Sequence, residues 1–464
     1  MTQASRIQTH RQMAVDSVLG ADKLLMTSMH GSEALVRMFQ YELDVFSEGG
    51  TPIKPKDLLA TNMTVRLTAG NQTTRFFNGY VSRFVLTSVD QTKSAGIIYH
   101  YRITLVPWLW LLTRNATCNI FQGQTVPEII QAVFQNVGAS TVTDLLTDKD
   151  KYRKWDYCVQ YRETDFNFVS RLMENEGIYY FFQHEQGKHT LVLCDAATAH
   201  KKTDNYETLK FDEPDPNETD DCYAWNWVQE NELVTGVYAT TDYNYITPGT
   251  ELFNSVQMQN VDDMGILETY DFPGAFTTPD EGRFYARVRA EELGAHYCIA
   301  TASSSARGVS TGAIFEFDDH PAVDKGDFLV IAASYQLNND QMRVGDRSDA
   351  PAFLSQLTLM PAKVPFRPAR ITPKPSVQGP QTAVVVGKDG EEIWTNEYGC
   401  AKVKFYWDLA QEHNEKSSCW IRVSQNWAGK NYGIYFAPRI GQEVIVGFID
   451  GDPDRPIITG RVYN

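Results

Sequence analysis

Three aspartates, Asp450, Asp452 and Asp454, alternate along the chain in the manner of a calcium-binding loop. An EF-hand loop needs glycine at its sixth position and a chelating glutamate at its twelfth. Counted from Asp450, those positions hold Arg455 and Arg461, whose positive charges would repel a cation. We therefore interpret the segment as a tight turn between two strands and not as a metal site.

The stretch HEQGKH offers His184, Glu185 and His189, which superficially fit a zinc protease. That chemistry requires two histidines four residues apart on one face of a helix. Here they are five apart and separated by Gly187, between two runs typical of strands. The pattern predicts a β-hairpin with both histidines near solvent.

Other catalytic signatures are weak. The sequence contains no G-x-S-x-G nucleophile elbow, and GVSTG at 308–312 lacks the length and flanks of a phosphate-binding loop. Any two acids can meet in space, so the presence of 58 acidic residues says nothing about a hydrolase pair. We predict no catalytic, cofactor-binding or metal-ligating residue, and hence a protein that is not an enzyme.

Four tryptophans form two pairs at i and i+2: Trp108, Trp110, Trp225 and Trp227. They allow either a platform that stacks on sugars or the filling of one face of a sheet. In β-rich folds, core or subunit contacts are the more frequent role of such pairs.

Composition excludes several classes of protein. The chain has 464 residues and a formal charge of −16, with no basic stripe, which argues against nucleic-acid binding. Its length predicts two to four domains. The first residues lack the apolar core of a secretory signal, and the apolar run at 105–113 is too short to cross a bilayer. We expect a chain that starts in the cytoplasm without stable membrane insertion.

The seven cysteines are widely spaced and contain no CxxC pair, so buried free thiols are expected. They are Cys118, Cys158, Cys194, Cys222, Cys298, Cys400 and Cys419.

Most of the chain has the composition of strands, rich in β-branched and aromatic residues. Helical periodicity appears at 125–138, 164–177 and 280–294. The predicted fold class is therefore mainly β with short α-helices.

A proline-rich segment at 361–380 is incompatible with a central strand and is predicted to be the main linker. Five short strands are expected after it, near 381–387, 400–407, 419–424, 442–449 and 456–462, which fits an OB-fold barrel. An acidic loop at 211–222 is a candidate division between two earlier subdomains.

Two long motifs in the sequence are specific enough to point to one protein family. The first is YRETDFNFVSRLMENEGIYYFF at 161–182; we call it the signature segment. Its matching residues are Tyr161, Glu163, Asp165, Phe168, Arg171, Leu172, Glu174, Glu176, Gly177 and Ile178. The second consists of 419–433 and 438–460. Its matching residues are Arg422, Val423, Trp427, Ala428, Gly429, Pro438, Arg439, Gly441 and a closing Gly-Asp-Pro-Asp-x-Pro. Both motifs resemble VgrG, the spike protein family of type VI secretion systems.

The resemblance implies residues 1–375 as a phage tail hub-like base with two barrel-like modules, and 376–464 as an OB-fold neck. It also implies a homotrimer seated on the hexameric Hcp tube. Because obligate oligomers bury large interfaces, we expect exposed aromatic and aliphatic faces of 161–182 and 381–462 to be buried between subunits. A β-helix needle follows in the family and carries a PAAR-repeat tip and effectors. This chain ends at GRVYN, before any needle repeat, so we expect a truncated sequence.

The implied function is a structural, cell-puncturing spike component, exported from the cytoplasm by the type VI machine without a signal peptide. No cofactor is implied. Two alternatives stay open: a phage tail hub protein, and a cell-wall hydrolase carried on such a hub.

Overall fold

The structure, a computed structural model, describes residues 7–8, 11–49, 51–69, 73–92, 96–138, 141–212, 222–258, 267–339, 351–430 and 432–463. Most of the predicted division at 211–222 lies outside these residues. None of the described helices is both long and apolar enough to span a bilayer.

Three α-helices occur among the described residues, where the periodicity predicts them. They are α1 (Val126–Asn136), α2 (Asp165–Glu176) and α3 (Pro279–Gly294). Thr125 caps α1, and its side chain and that of Glu128 satisfy each other's backbone N–H groups in a capping box. Thr278 accepts the N–H of Glu281 at the start of α3. Short 3₁₀ helices lie at Pro55–Asp57, Trp108–Arg114, Lys149–Lys151, Ala197–Ala199 and Ile449–Gly451.

Strands make up most of the rest. The first are β1 (Met13–Ser17), β2 (Leu25–Ala34), β3 (Gln40–Glu48), β4 (Asn62–Thr68), β5 (Thr74–Thr92), β6 (Gly96–Val106) and β7 (Ala116–Phe121). Next come β8 (Val142–Leu145), β9 (Cys158–Thr164), β10 (Tyr179–Glu185), β11 (Lys188–Cys194), β12 (Lys201–Lys202), β13 (Thr208–Phe211), β14 (Tyr223–Asn231), β15 (Val237–Thr240), β16 (Asn254–Gln257) and β17 (Glu268–Asp271). The last are β18 (Cys298–Ser304), β19 (Ala313–Asp318), β20 (Gly326–Asn338), β21 (Phe353–Pro361), β22 (Gln381–Val386), β23 (Lys402–Phe405), β24 (Arg422–Val423), β25 (Ala428–Gly429), β26 (Tyr432–Gly433), β27 (Glu443–Phe448) and β28 (Pro456–Arg461).

The largest sheet has 13 strands in the order β1-β4-β5-β6-β3-β2-β20-β21-β18-β14-β13-β19-β12. Because β19 also pairs with β20, the six strands from β20 to β19 close into a ring. The six strands that precede β20 in that order, β1 to β2, also curl, since β1 contacts β2. The long antiparallel pairing of β2 with β20 joins the two barrel-like sets.

Two smaller sheets accompany these barrels. The hairpin β10–β11 extends to β8, and its Tyr179, Phe181 and Val192 belong to a buried apolar cluster. The second sheet, β16-β15-β17, is covered on one face by α3, where Tyr238 packs with Ala286 and Ala290.

The C-terminal residues form a five-stranded barrel in the order β23-β22-β27-β28-β24. A bridge between Ala401 and Ile421 brings its edges together. Its core contains Val385, Val403 and Phe405 among other apolar side chains. All five predicted strands are found, and the barrel confirms the predicted OB-like fold.

Spatial contacts divide the chain into two compact units. Unit 1 contains residues 1–110, 139–148 and 177–369, and unit 2 contains residues 111–138, 149–176 and 370–464. Unit 2 therefore combines the OB barrel with α1, α2 and the β7–β9 pair. The division into 1–375 and 376–464, drawn from composition and resemblance, stays a prediction.

The proline-rich segment carries no strand after Pro361, as predicted. It is nevertheless held in place by polar contacts. Within unit 1, the Arg367 guanidinium donates to Glu291 Oε2 at 2.6 Å and to the carbonyl oxygens of Gly177 and Asp195 at 3.0 and 2.8 Å. Within unit 2, the Val377 N–H donates to the Gly451 carbonyl oxygen.

Candidate functional site

The signature segment is built around a buried ion pair in unit 2. Glu163 is the second-last residue of β9, and Arg171 lies on the α2 face that packs against that strand. Arg171 Nη2 is 2.8 Å from Glu163 Oε1, and the side chains are 7% and 4% exposed. Arg171 also donates to the carbonyl oxygen of Val159 at 2.9 Å. Because both charges are buried and hydrogen-bonded to each other, each depends on its partner.

Asp165 and Glu174 connect α2 to its surroundings. Asp165 accepts hydrogen bonds from Asn115 at 2.7 Å and from Gln160 at 2.8 Å. Glu174 accepts the backbone N–H groups of Ile371 and Thr372 at 3.1 and 2.9 Å, and the Thr372 hydroxyl at 2.7 Å. These carboxylates thus fix the strand before the helix and the start of the C-terminal segment.

Tyr161 links β9 to the OB barrel within unit 2. Its hydroxyl accepts a hydrogen bond from Gln381 at 2.7 Å, and its ring meets that of Trp407 edge-on at 5.7 Å. Gln381 in turn accepts from the Trp407 indole N–H at 2.9 Å. The signature residues of unit 2 therefore act in packing and positioning.

The aspartate run lies at the turn between β27 and β28, as predicted. Asp450 and Gly451 both adopt positive φ angles, 55° and 72°. The place of a cation is taken by Lys374, whose Nζ lies 2.6 Å from Asp452 Oδ1 and 2.6 Å from Asp454 Oδ2. Asp454 Oδ1 accepts the Val159 N–H at 2.6 Å. Burial alone would lower the pKa of Lys374, but Asp454 and Asp452 outweigh it and raise that pKa.

We expect Lys374→Met to destabilise unit 2 by about 1–3 kcal/mol, since it leaves two neighbouring carboxylates without their counter-charge. Hydrogen exchange of the β27 and β28 amides measures the loss. Lys388→Met, at an exposed lysine, serves as the matched control. An unchanged exchange rate in Lys374→Met, or a thermal stabilisation of the wild-type protein by Ca²⁺, would contradict the assignment.

The two histidines of HEQGKH lie on the predicted hairpin and pair across it, His184 opposite His189. The expectation that they lie near solvent is wrong. The His184 side chain is 6% exposed and His189 is 2% exposed. Strand β10 begins with a continuous apolar run, Tyr179 to Phe182, that is buried within unit 1 and carries the adjoining hairpin inward.

Hydrogen bonds hold both imidazoles neutral. His189 Nε2 accepts the Trp108 N–H at 2.9 Å, so that its Nδ1 donates to Asn78 Oδ1 at 2.8 Å. His184 Nδ1 accepts the Asn78 N–H at 3.1 Å, and its Nε2 donates to the Tyr41 hydroxyl at 3.1 Å. Each lone pair that could bind a metal ion is already occupied by a backbone N–H group.

The neighbours of His184 form a buried polar cluster. Tyr41 and Tyr335 donate to Glu33, and Arg75 lies 3.9 Å from the same carboxylate. Arg75 Nη1 also donates to the carbonyl oxygens of Arg307 and Val309 at 2.9 and 2.6 Å. Burial, aided by the Arg75 charge, lowers the pKa of His184 to about 3. Burial, aided by His184, lowers the pKa of His189 to about 3.

The stability of unit 1 should consequently fall as the pH falls from about 6.5 toward 3. Over that window the unfolded chain binds protons at both histidines and the folded chain does not, so acid favours unfolding. Each histidine contributes a slope approaching about 1.4 kcal/mol per pH unit. Denaturant unfolding across this range, with NMR of labelled imidazoles, measures both effects. A folded-state titration of either histidine near its ordinary pKa would contradict the prediction.

The remaining candidates are also structural. In GVSTG, a Cβ on Gly308 would lie 2.2 Å from the Tyr206 ring, and Gly312 has a φ of 86° beside the Phe181 ring. The lack of a side chain at these glycines therefore makes room for aromatic rings. Among the described residues, no group of three potential metal ligands is found.

The tryptophans do not form one platform. Trp227 stacks on Phe317 with ring centroids 3.8 Å apart, whereas Trp108 lies buried in a 3₁₀ helix and not on a sheet face. Core packing is therefore the role of both.

The cysteines partly fit the expectation. Cys158, Cys194 and Cys400 are buried, whereas the other four keep partial exposure. Cys158 is a free thiol whose pKa is raised by burial.

Two linked barrels, an OB barrel and a signature segment engaged in internal contacts define a structural component of the phage tail hub class. The phage tail baseplate hub family matches residues 32–341. The type VI secretion system/phage-baseplate injector OB domain family matches residues 395–463.

Similarity to individual proteins narrows the class. VgrG1b of Pseudomonas aeruginosa, a type VI secretion system spike protein, is 44% identical over 98% of this chain and 61% of its own length. The spike protein VgrG1a of the same organism is 44% identical, with 99% of this chain and 70% of its own covered. The chain belongs to the VgrG family of spike proteins. It spans about 61% of the length of VgrG1b.

A solved structure agrees in fold. An Escherichia coli component of the type VI secretion system, described as structurally similar to the T4 bacteriophage tail proteins gp27 and gp5, matches with a TM-score of 0.66. The match covers 98% of this chain and 99% of the other at 21% identity.

Proposed function

We propose that this chain is the base of a type VI secretion spike, a homotrimer seated on the hexameric Hcp tube and exported with effectors. The observation that carries the proposal is the similarity to VgrG1b over 98% of the chain, which includes the hub and OB regions together. A protein that must withstand mechanical force is stabilised by large sheets and by polar groups that pair within the chain. The signature segment contains such pairs.

Unit 2 offers a surface suited to contacts between subunits. The short hairpin β25–β26 and the residues on either side of it expose Trp427, Tyr432, Ile434, Tyr435 and Phe436, each 53–64% exposed. We call this set the aromatic hairpin. Contiguous exposed aromatic side chains are uncommon on monomers and enriched in subunit interfaces.

The backbone of the hairpin holds these side chains in exposed positions. The Ile434 N–H donates to the Trp427 carbonyl oxygen at 2.9 Å, and the rings of Trp427 and Tyr432 lie 5.8 Å apart. A Cβ on Gly433 would lie 2.5 Å from the Trp427 oxygen, so only glycine permits this close pairing. The guanidinium of Arg461 covers the Phe436 ring at 4.1 Å.

The prediction that 161–182 presents an apolar face to another subunit is wrong. Its large apolar side chains, Phe168, Leu172, Tyr179, Tyr180 and Phe182 among them, are buried within the chain. The proposed subunit contact is therefore restricted to 381–462, and the aromatic hairpin is its centre.

Further parts of the proposal follow from the family. The chain acts without catalysis of its own, since the candidate residues for chemistry serve packing and internal pairing. It resides in the cytoplasm until the type VI machine exports it. A PAAR-repeat tip and effectors complete the proposed set of partners.

Export of Hcp tests the proposal. In the bacterium that makes this protein, all genes of the family would be deleted and this gene alone restored. We expect Hcp in the medium to disappear on deletion and to return on restoration. Unchanged Hcp export in the deletion strain, or no recovery despite normal protein levels, would contradict the spike function.

A further inference from the structure

The net negative charge of this protein comes from one segment of the sequence. Residues 211–282 contain 16 of the 58 acidic residues and no lysine, arginine or histidine. The rest of the chain holds 42 acidic and 42 basic residues and is balanced. The whole formal charge of −16 therefore comes from this segment, most of whose described residues form the small sheet β16-β15-β17 and its loops.

Large apolar side chains are exposed in the same region. Tyr243, Ile246, Phe253, Tyr270 and Phe272 are each 49–58% exposed, and we call this set the acidic aromatic face. Scattered exposed apolar residues are normal, but a cluster rimmed by polar groups marks an interaction surface.

The topology brings these side chains together. Thr240, the last residue of β15, pairs with Asn254 at the start of β16 and with Asp271 at the end of β17. Phe253 and Phe272 adjoin those partners, so both lie at the same end of the sheet. The loop with Tyr243 and Ile246 leaves β15 at that end too.

Hydrogen bonds within the chain make this end of the sheet rigid. Asp242 accepts the Ala275 N–H at 2.7 Å, and Asn244 donates to the Thr277 carbonyl oxygen at 3.1 Å. Helix α3 covers the face of the sheet that carries Tyr238. The exposed rings are thus fixed on a packed scaffold, which reduces the entropy lost when a partner binds.

We propose that the acidic aromatic face binds a partner protein whose surface combines lysine or arginine with apolar side chains. The exposed Glu251 lies two residues before Phe253, and the exposed Glu268 lies two residues before Tyr270 on β17. Cations bind both carboxylates and aromatic faces. A second copy joined through the same face would place carboxylates against carboxylates. A metal ion alone does not fit, because the described residues contain no group of three ligands. This binding is separate from the proposed spike function and does not depend on it.

Fluorescence anisotropy with defined peptides tests the proposal on the full chain. The probe is an amphipathic peptide of about twelve residues, (Lys-Leu-Leu) repeated, and its control replaces every lysine by glutamate. We expect the lysine peptide to bind, and the triple substitution Phe253→Ser, Tyr270→Ser, Phe272→Ser to weaken binding at least about ten-fold. Glu251→Gln with Glu268→Gln should reduce the salt dependence of binding and preserve the rings.

Matched controls are available elsewhere. Leu86→Ser with Val89→Ser removes apolar side chains of similar exposure in unit 1, and Asp389→Asn with Glu391→Gln removes two exposed charges. Both should bind as the wild type does. Equal binding by the triple variant, equal binding of the glutamate peptide, or a lower solution mass of the triple variant would overturn the proposal. The last result would assign the face to contacts between copies.

Discussion

Replacing Arg171 by methionine should lower the free energy of unfolding of unit 2 by about 3–5 kcal/mol. Methionine keeps much of the volume of the arginine stem but leaves Glu163 as a buried charge, in a site where its carboxylate is 4% exposed. The carbonyl oxygen of Val159 also loses a donor. Native-state hydrogen exchange of the α2 amides measures the loss, because it reports on that unit and not on the whole chain.

A neighbouring arginine supplies the control for this experiment. Arg162 is exposed, so Arg162→Met should change the same exchange rates little. The double variant Glu163→Gln, Arg171→Met removes both charges and should recover part of the stability, since no unpaired ion stays buried. A loss below about 1 kcal/mol in Arg171→Met would mean that the ion pair does not organise the signature segment.

The second large effect is expected from Gly177→Ala. Gly177 has a φ of 71°, and a Cβ there would lie 2.8 Å from Val288 Cγ1 and 3.2 Å from Arg367 Cδ. The left-handed conformation costs an alanine about 1–2 kcal/mol, and the steric overlap adds about 1–3 kcal/mol. Hydrogen exchange of the hairpin β10–β11, which follows Gly177, should therefore accelerate strongly.

Gly187→Ala separates the two contributions. Gly187 has a similar φ of 75°, but a Cβ at this residue would have no neighbouring atom within 4 Å, so only the conformational cost applies there. We expect Gly177→Ala to lose clearly more stability than Gly187→Ala. Equal losses would show that Val288 and Arg367 move aside and that the close approach is unimportant.

The sequence predicts local structure well where local chemistry decides it. The three helices and the five strands after the proline-rich segment are found where expected. The aspartate turn could also be derived, because the arginines at the sixth and twelfth loop positions exclude an EF-hand.

The partners in the site could not be derived, because they are distant in sequence. Lys374 meets Asp452 and Asp454 only after the barrel has formed, and Glu33 meets Arg75 and Tyr335 across the joined barrels of unit 1. Nothing in the residue types near Lys374 distinguishes it from an exposed lysine.

One missed feature did have a signal. The four consecutive apolar residues from Tyr179 to Phe182 indicate a strand buried on both faces, and alternation is absent there. A hairpin that begins with such a run carries its next residues inward. The burial of His184 and His189 could therefore have been predicted from the sequence.

The proposed trimer forms through the aromatic hairpin of unit 2. The most direct measurement is the solution mass of the full chain by light scattering on a sizing column, over a range of protein concentrations. We predict a mass of about three times 52.5 kDa for the wild type, and a monomer for Trp427→Ser with Phe436→Ser. A wild-type monomer at every concentration, or a trimer unaffected by these substitutions, would contradict the claim.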